Sequence, residues 1–327
     1  MINLMLQKWN EPPTPGRLNL STALHQIIAL IAQHGGLTPS RGWEGLVKSG
    51  VFNALSLDTY KALLRRMAET HLVEQARDGT LLLGEAGEKL LSRRDIYSVF
   101  MTPDEYKVLS DRGKEIGQIP MSFTLTTGQF ILLGGRRWLI TNVDDGRKEI
   151  HVTKGHGGKP PQFGGEPKPP ADEIIAEMRR VYEGHTCPIY LDKPAAALLS
   201  EARESYDALK LRTKLVVPFA ENLLIFPWVG ARRMNALFLA LAAADLSPEM
   251  NSLGIELHIS AGERLLNELR RLADSPPPDA KYLASLVEDR NLEKFDHLLG
   301  DDLTIQAYAS EHLDCEALPP LARSLLT

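Results

Sequence analysis

One stretch gathers the residue types that phosphates and bases select: Phe226-Pro227-Trp228-Val229-Gly230-Ala231-Arg232-Arg233-Met234-Asn235. An apolar strand ends, a turn containing glycine follows, and a helix opens on two arginines. The first amides of a helix lack intrahelical acceptors and attract an anion; Arg232 and Arg233 would add formal charge. Trp228 offers an indole face for stacking on a base or a ribose. The alternative is that Trp228 packs between strand and helix while the arginines stay solvated. A second stretch, KGHGGKPPQFGGEPKPP at 154–170, is rich in glycine and lysine ahead of a helix. Gly158-Lys159 is followed by Pro160 rather than Ser or Thr, so the phosphate-loop spacing is absent. A looser approach of amides and Lys159 to phosphates remains, beside the plainer reading of a surface loop.

Other chemistries find no support. No G-x-x-x-x-G-K-[ST] occurs, and Asp172-Glu173 follows prolines at a helix start, where it reads as N-terminal charge stabilisation. This chain alone is not expected to hydrolyse ATP. No G-x-S-x-G elbow, C-x-x-C pair or H-E-x-x-H occurs. His151 and His156 lie at a strand end and in a glycine loop, a poor metal site. Cys187 and Cys315 are far apart and expected to be reduced and buried. No catalytic and no metal-binding residues are assigned, and nothing demands an enzyme.

The elements that would position these residues follow from periodicity. Residues 1–20 hold Pro12, Pro13 and Pro15, which disfavour a helix, and read as a linker. Leu24, Ile27, Ile28 and Ile31 recur at helical spacing until Gly35-Gly36. Helices follow at 39–48 and from Ser56 or Asp58, then strands at 72–75 and 80–83 joined by Arg77-Asp78-Gly79. Three helices and a hairpin over 21–95 give the order of a winged helix. Its third helix carries Lys61, Arg65 and Arg66, either to meet nucleic acid or as a solvated face. Residues 97–153 read as short strands with Asp-Arg-Gly and Asp-Asp-Gly turns, a small barrel or strongly curved sheet. Alternation puts Trp138, Ile140 and Asn142 on one face of a strand at 136–143. Helices and strands then alternate from Asp172. Pro276-Pro277-Pro278 precedes a mostly helical tail.

The expected class is therefore α+β: a winged helix followed by a small β-barrel-like and mixed α/β module. The divisions are 1–20, 21–95, 96–275 and an acidic helical tail, 276–327, packed on the preceding domain. Residues 274–327 carry four basic and eleven acidic residues, whereas 1–273 carry 33 and 31. The acidic excess is thus C-terminal, and the overall charge of −5 does not exclude nucleic-acid binding by the rest. The longest apolar run, Met234–Ala244, is too short to span a bilayer, and no signal peptide is evident; a cytoplasmic protein with no membrane partner is expected.

In order, LHQIIALIAQHGG, TLLLGEAGEKLL, GGRRWLITNVD, GGKPPQFGG and LLIFPWVGARRMNAL occur from about Leu18 onward. Together they resemble the C-terminal half of the Lhr-type (large helicase-related) superfamily 2 helicases. In that family two RecA-like motor domains precede a winged helix and a β-barrel-containing, DEAD/DEAH-associated region. The resemblance implies 3′-to-5′ movement on single-stranded DNA, unwinding of DNA or RNA:DNA duplexes, and DNA repair. It implies strand contacts at Arg65, Arg66, Arg136, Arg137, Trp138, Lys159, Arg232 and Arg233. ATP and Mg are expected only with the motor domains, which this chain lacks and which join it in cis or in trans. A protein-docking or regulatory subunit for a separately encoded motor is the alternative, motivated by the acidic tail.

Overall fold

The computed structural model describes residues 1–13, 16–101, 105–121, 125–155, 170–251 and 254–326. It is a mixed α+β structure in two compact units, one of Met1–Val99 with Pro169–Thr327 and one of Phe100–Lys168. These units do not follow the expected divisions at 95/96 and 275/276. Tail side chains belong to two cores, one around the helices Ala231–Ala243 and Gly262–Asp274 and one around the helices Leu20–His34 and Leu57–Glu69.

Residues 1–99 begin with a short helix, α1 (Ile2–Leu6), inside the segment expected to be a linker. Leu4 is buried, which gives this turn a reason to form ahead of the prolines. Next come α2 (Leu20–His34), α3 (Pro39–Trp43) continued by a π-type turn (Glu44–Lys48), and α4 (Leu57–Glu69). Thr38 and Ser56 accept the N–H of Arg41 and Thr59 and so cap α3 and α4. Antiparallel β1 (Val73–Gln75) and β2 (Leu81–Leu83) close through the Asp-Gly turn, and α5 (Glu85–Leu91) follows. Leu37, between α2 and α3, adds an antiparallel bridge to Leu81.

The unit Phe100–Lys168 is one curled half-barrel sheet of β3 (Glu105–Ser110), β4 (Glu115–Pro120), β5 (Phe130–Leu133), β6 (Arg136–Asp144) and β7 (Glu149–Lys154). Strand order is β4-β3-β7-β6-β5. The hairpins form at the expected Asp-Gly turns, while β3 and β7 pair in parallel across the intervening strands. Tyr106, Val108, Ile131, Trp138, Ile140, Ile150 and Val152 fill its concave core.

The rest alternates as expected: α6 (Asp172–Glu183), α7 (Lys193–Ala208), β8 (Val216–Phe219), β9 (Asn222–Ile225), α8 (Ala231–Ala243), β10 (Glu249–Met250), β11 (Ile255–His258) and α9 (Gly262–Asp274). The strands form one antiparallel sheet, β10-β11-β9-β8. The tail supplies α10 (Ala280–Ser285), α11 (Asp301–His312) and α12 (Leu318–Leu325).

That tail is not a separate layer on one domain. Leu283, Ala284, Leu318, Ala322 and Leu325 complete the core around α8, β9, β11 and α9. Phe295, Leu299 and Leu303 complete the core of α2, α4 and β1 instead. Burying both sets of side chains ties 1–99 to the C-terminal half, because a few nearly inaccessible Leu and Phe side chains contribute about 2 kcal/mol each. No described helix is long and apolar enough to cross a membrane.

Candidate nucleic-acid interface

The structure sorts the expected contact residues into those that face solvent and those that hold the fold. Lys61 and Arg65 lie one turn apart on α4, both exposed. The inward face of that helix is Tyr60, Leu63 and Met67. Neither Lys61 nor Arg65 has an ion pair among the described residues. Arg136 is exposed at the start of β6, and Arg137 is half-buried. Lys159 lies outside the described residues.

Arg66 is turned the other way. Its Nε donates to Leu298 O at 3.1 Å, and Nη1 stands 3.7 Å from Glu69. It therefore ties α4 to the tail rather than extending the exposed pair. Trp138 is 8% exposed, and its Nε1 donates to Leu133 O at 3.2 Å, so the indole is core and not a stacking platform. Ile140 is buried beside it, but Asn142 is exposed. A bulge between Ile140 and Asn142 breaks the alternation.

The Phe226–Asn235 stretch is a junction. Gly230 precedes α8 so closely to the start of α6 that an added Cβ would lie 2.6 Å from Asp172 N. The expected anion at this helix N-terminus is the chain's own. Asp172 Oδ1 accepts Gly230 N–H at 2.6 Å, and Pro170 O accepts Ala231 N–H at 3.0 Å. Arg233 stands between two carboxylates, 3.5 Å from Asp172 and 3.1 Å from Asp314.

Arg232 caps a different helix. Its Nη2 donates to Ser310 O at 2.9 Å and to Leu313 O at 2.8 Å, at the C-terminal end of α11. Asn235 Nδ2 donates to His312 O, and Asp314 N–H to Arg232 O. Terminal carbonyls without intrahelical donors favour a cation there. Burial, then the neighbouring Arg17, draws the Arg232 pKa below its ordinary value. The two arginines expected to grip a strand are therefore engaged within the protein.

Trp228 adopts a left-handed backbone (φ 52°) and sits among Tyr182, Tyr206 and Phe226, with ring centroids 6.0, 5.9 and 6.3 Å away. Arg179 stands 5.9 Å over the indole, and Trp228 Nε1 is buried without a partner among the described residues. Tyr206 donates to Glu183 at 2.9 Å, and Arg179 Nε donates to the same oxygen at 3.0 Å. Burial raises the Glu183 carboxyl, but these two bonds and the guanidinium charges outweigh it and hold the pKa low. Trp228 thus packs as the core alternative requires, in a strained conformation. The sequence carried no signal for this cage, because Tyr182 and Tyr206 lie on helices more than twenty residues upstream.

Both cysteines were expected to be buried. Cys315 is, and burial pushes its thiol up to about 11; Cys187 is exposed. No cluster of three metal-ligating side chains occurs among the described residues. Comparison with protein-family models, curated proteins and solved structures finds no match.

Proposed function

We propose that this chain is the nucleic-acid-binding C-terminal portion of an Lhr-like 3′-to-5′ helicase, guiding single-stranded DNA or an RNA:DNA hybrid in DNA repair. In this reading residues 21–95 are a winged helix. The Leu37–Leu81 bridge beside the β1–β2 hairpin supports that, since it supplies the third short strand such modules use. The observation that carries the proposal is the unpaired Lys61–Arg65 stripe on α4, the helix that leads into this hairpin. Exposed cations one turn apart can follow successive phosphates, and their contribution rests on counterion release.

ATP and Mg belong, in this reading, to RecA-like motor domains outside this chain. The N-terminus of α8 does not fit a nucleotide phosphate, because the Asp172 carboxylate already accepts there.

Fluorescence anisotropy with labelled single-stranded DNA tests the proposal. Wild type is expected to bind more weakly as salt rises. Lys61→Ala with Arg65→Ala is expected to weaken binding and to flatten the slope of log affinity against log salt by about 1.4, at ~0.7 per lost phosphate contact. A folded double variant with an unchanged slope removes α4 from the strand path. Wild type that does not bind at low salt sinks the proposal for this chain.

One observation favours the docking reading. Met1, Ile2, Met5 and Leu6 of the α1 region are 61, 48, 68 and 70% exposed, and Ile189 is fully exposed. Asn3 joins this surface, donating to Glu177 at 2.7 Å and accepting from Tyr190 at 2.5 Å. An apolar patch of this kind suits a protein partner. A RecA-like motor supplied in trans is expected to co-purify with wild type and not with Met5→Asp plus Leu6→Asp. Equal recovery of both argues against docking here. Deleting the acidic tail is no test, because it would open both cores.

A further inference from the structure

α7 runs into a compact turn, residues 209–214. Lys210 N–H donates to Asp207 O at 3.0 Å, and Leu211 N–H donates to Tyr206 O at 3.1 Å. These two bonds close the helix around a left-handed residue, Lys210, with φ 57°. Leu211 is thereby buried with Tyr206, Val217 and Phe226, in the cluster that includes Trp228. A second turn follows at once, because the N–H groups of Thr213 and Lys214 both donate to Lys210 O, at 3.0 and 2.9 Å. Two arginines fasten it to α6: Arg179 Nη2 donates to Arg212 O at 3.3 Å, and Arg212 Nη2 donates to Glu183 O at 3.1 Å. The backbone of the turn is therefore fixed without help from its lysine side chains.

The charge it presents is of one sign. Residues 209–214 carry three cations and no carboxylate, and Lys210, Arg212 and Lys214 are all exposed. Neither Lys210 nor Lys214 has an ion pair among the described residues. The carboxylate beside the turn is already engaged, since Glu183 Oε1 accepts from Tyr206 and Arg179. The closure from Lys214 to Lys210 O sets these two lysines one turn apart along the backbone, the i,i+4 spacing of Lys61 and Arg65 on α4.

Lysine is also the wrong residue for this backbone. Left-handed φ crowds a Cβ, and glycine is the residue that helix ends favour at this position. Lys210 adds that strain, and its side chain makes no bond within the described residues that would offset it. Strain of this kind persists where a side chain is needed for something other than folding.

We propose that the 209–214 turn is a second phosphate-binding element for the single strand, with Lys210 and Lys214 as its contacts and Arg212 beside them. The inference rests on the nucleic-acid reading and adds a site to it. Cations on a backbone that is already fixed meet phosphates with little further ordering. The rings beneath, Tyr206 and Phe226, are buried, so the turn offers charge and no stacking face. Its contribution is therefore independent of base sequence.

Fluorescence anisotropy with labelled oligothymidine and with a mixed-sequence single strand tests it, each titrated with salt. Lys210→Gly and Lys214→Ala are each expected to flatten the slope of log affinity against log salt by about 0.7, and the double variant by about 1.4, on both strands. Lys210→Gly separates binding from folding: it relieves the left-handed strain, so its urea midpoint is expected to equal or exceed that of wild type while its binding weakens. A wild-type slope in the folded double variant, with wild type still binding, overturns this element and leaves the α4 site standing. A loss seen on one strand and not the other overturns the phosphate assignment. Wild type that does not bind at low salt overturns this element together with the reading it rests on.

Discussion

Arg232→Ala is expected to destabilise the protein by about 3 kcal/mol and to leave the salt dependence of DNA binding by the folded protein unchanged. The side chain gives two hydrogen bonds, to Ser310 O and Leu313 O. Bonds from a charged donor contribute ~1.5–3 kcal/mol each, and the desolvation of the guanidinium takes part of that back. Alanine would leave terminal carbonyls of α11 without that donor, beside the buried Leu313 and Cys315. Arg233→Ala is the comparison. Its side chain is 41% exposed and its partners are ionic, so about 1 kcal/mol or less is at stake. Urea unfolding of both variants gives the first quantity and anisotropy the second. Arg232→Ala with wild-type stability and a flattened salt slope would return this arginine to the strand path.

The second large effect is expected at Gly254. A Cβ there would lie 1.9 Å from Ile225 O and 3.0 Å from Ile225 C. Both are backbone atoms of β9, and Ile255 pairs with Ile225 across the sheet. Neither atom can swing aside as a side-chain tip can, so β11 must move off β9. Ile225, Ile255 and Leu257 are each at most 1% exposed, and the displacement opens the core they share with α8 and α9. Overpacking costs ~1–3 kcal/mol, and a collision between two buried strands belongs at or above the top of that range. Gly254→Ala is therefore expected to lose about 3–4 kcal/mol. Gly45→Ala is the control: a Cβ there meets nothing within 4 Å, and its effect should stay within ~1 kcal/mol of wild type. Thermal or urea unfolding decides it, and equal stability of Gly254→Ala and wild type would show that β11 can shift freely.

Much of the element order was legible because each signal is local. The run Leu24, Ile27, Ile28, Ile31 gives α2 its buried face, and Asp144-Asp145-Gly146 gives the β6–β7 hairpin. Asp192, with Pro194 behind it, starts α7 by accepting the Ala195 N–H at 2.9 Å. The misses share a cause. The parallel β3–β7 pairing joins strands separated by the whole of β4, β5 and β6. The bulge in β6 is set by its partner strand. The short α1 forms where Leu4 finds a buried site and Asn3 finds Glu177, 174 positions away.

The candidate contacts divide along the same line. By itself, the sequence determined the class of structure, the helices and hairpins, and which residue types were placed to meet an anion. It put Lys61, Arg65 and Arg66 together on α4; 3.6-residue periodicity keeps Lys61 and Arg65 outside, while Arg66 turns to Leu298 O. Only the tertiary structure decided that Arg232 caps α11, that Asp172 fills the N-terminus of α8, and that Trp138 and Trp228 are packed. The physical reason is that an arginine has the same charge and reach whether it meets a phosphate or a helix carbonyl. Which of them it meets depends on a partner 78 or 81 residues along the chain, brought within 3 Å by two cores that close only when the tail is in place.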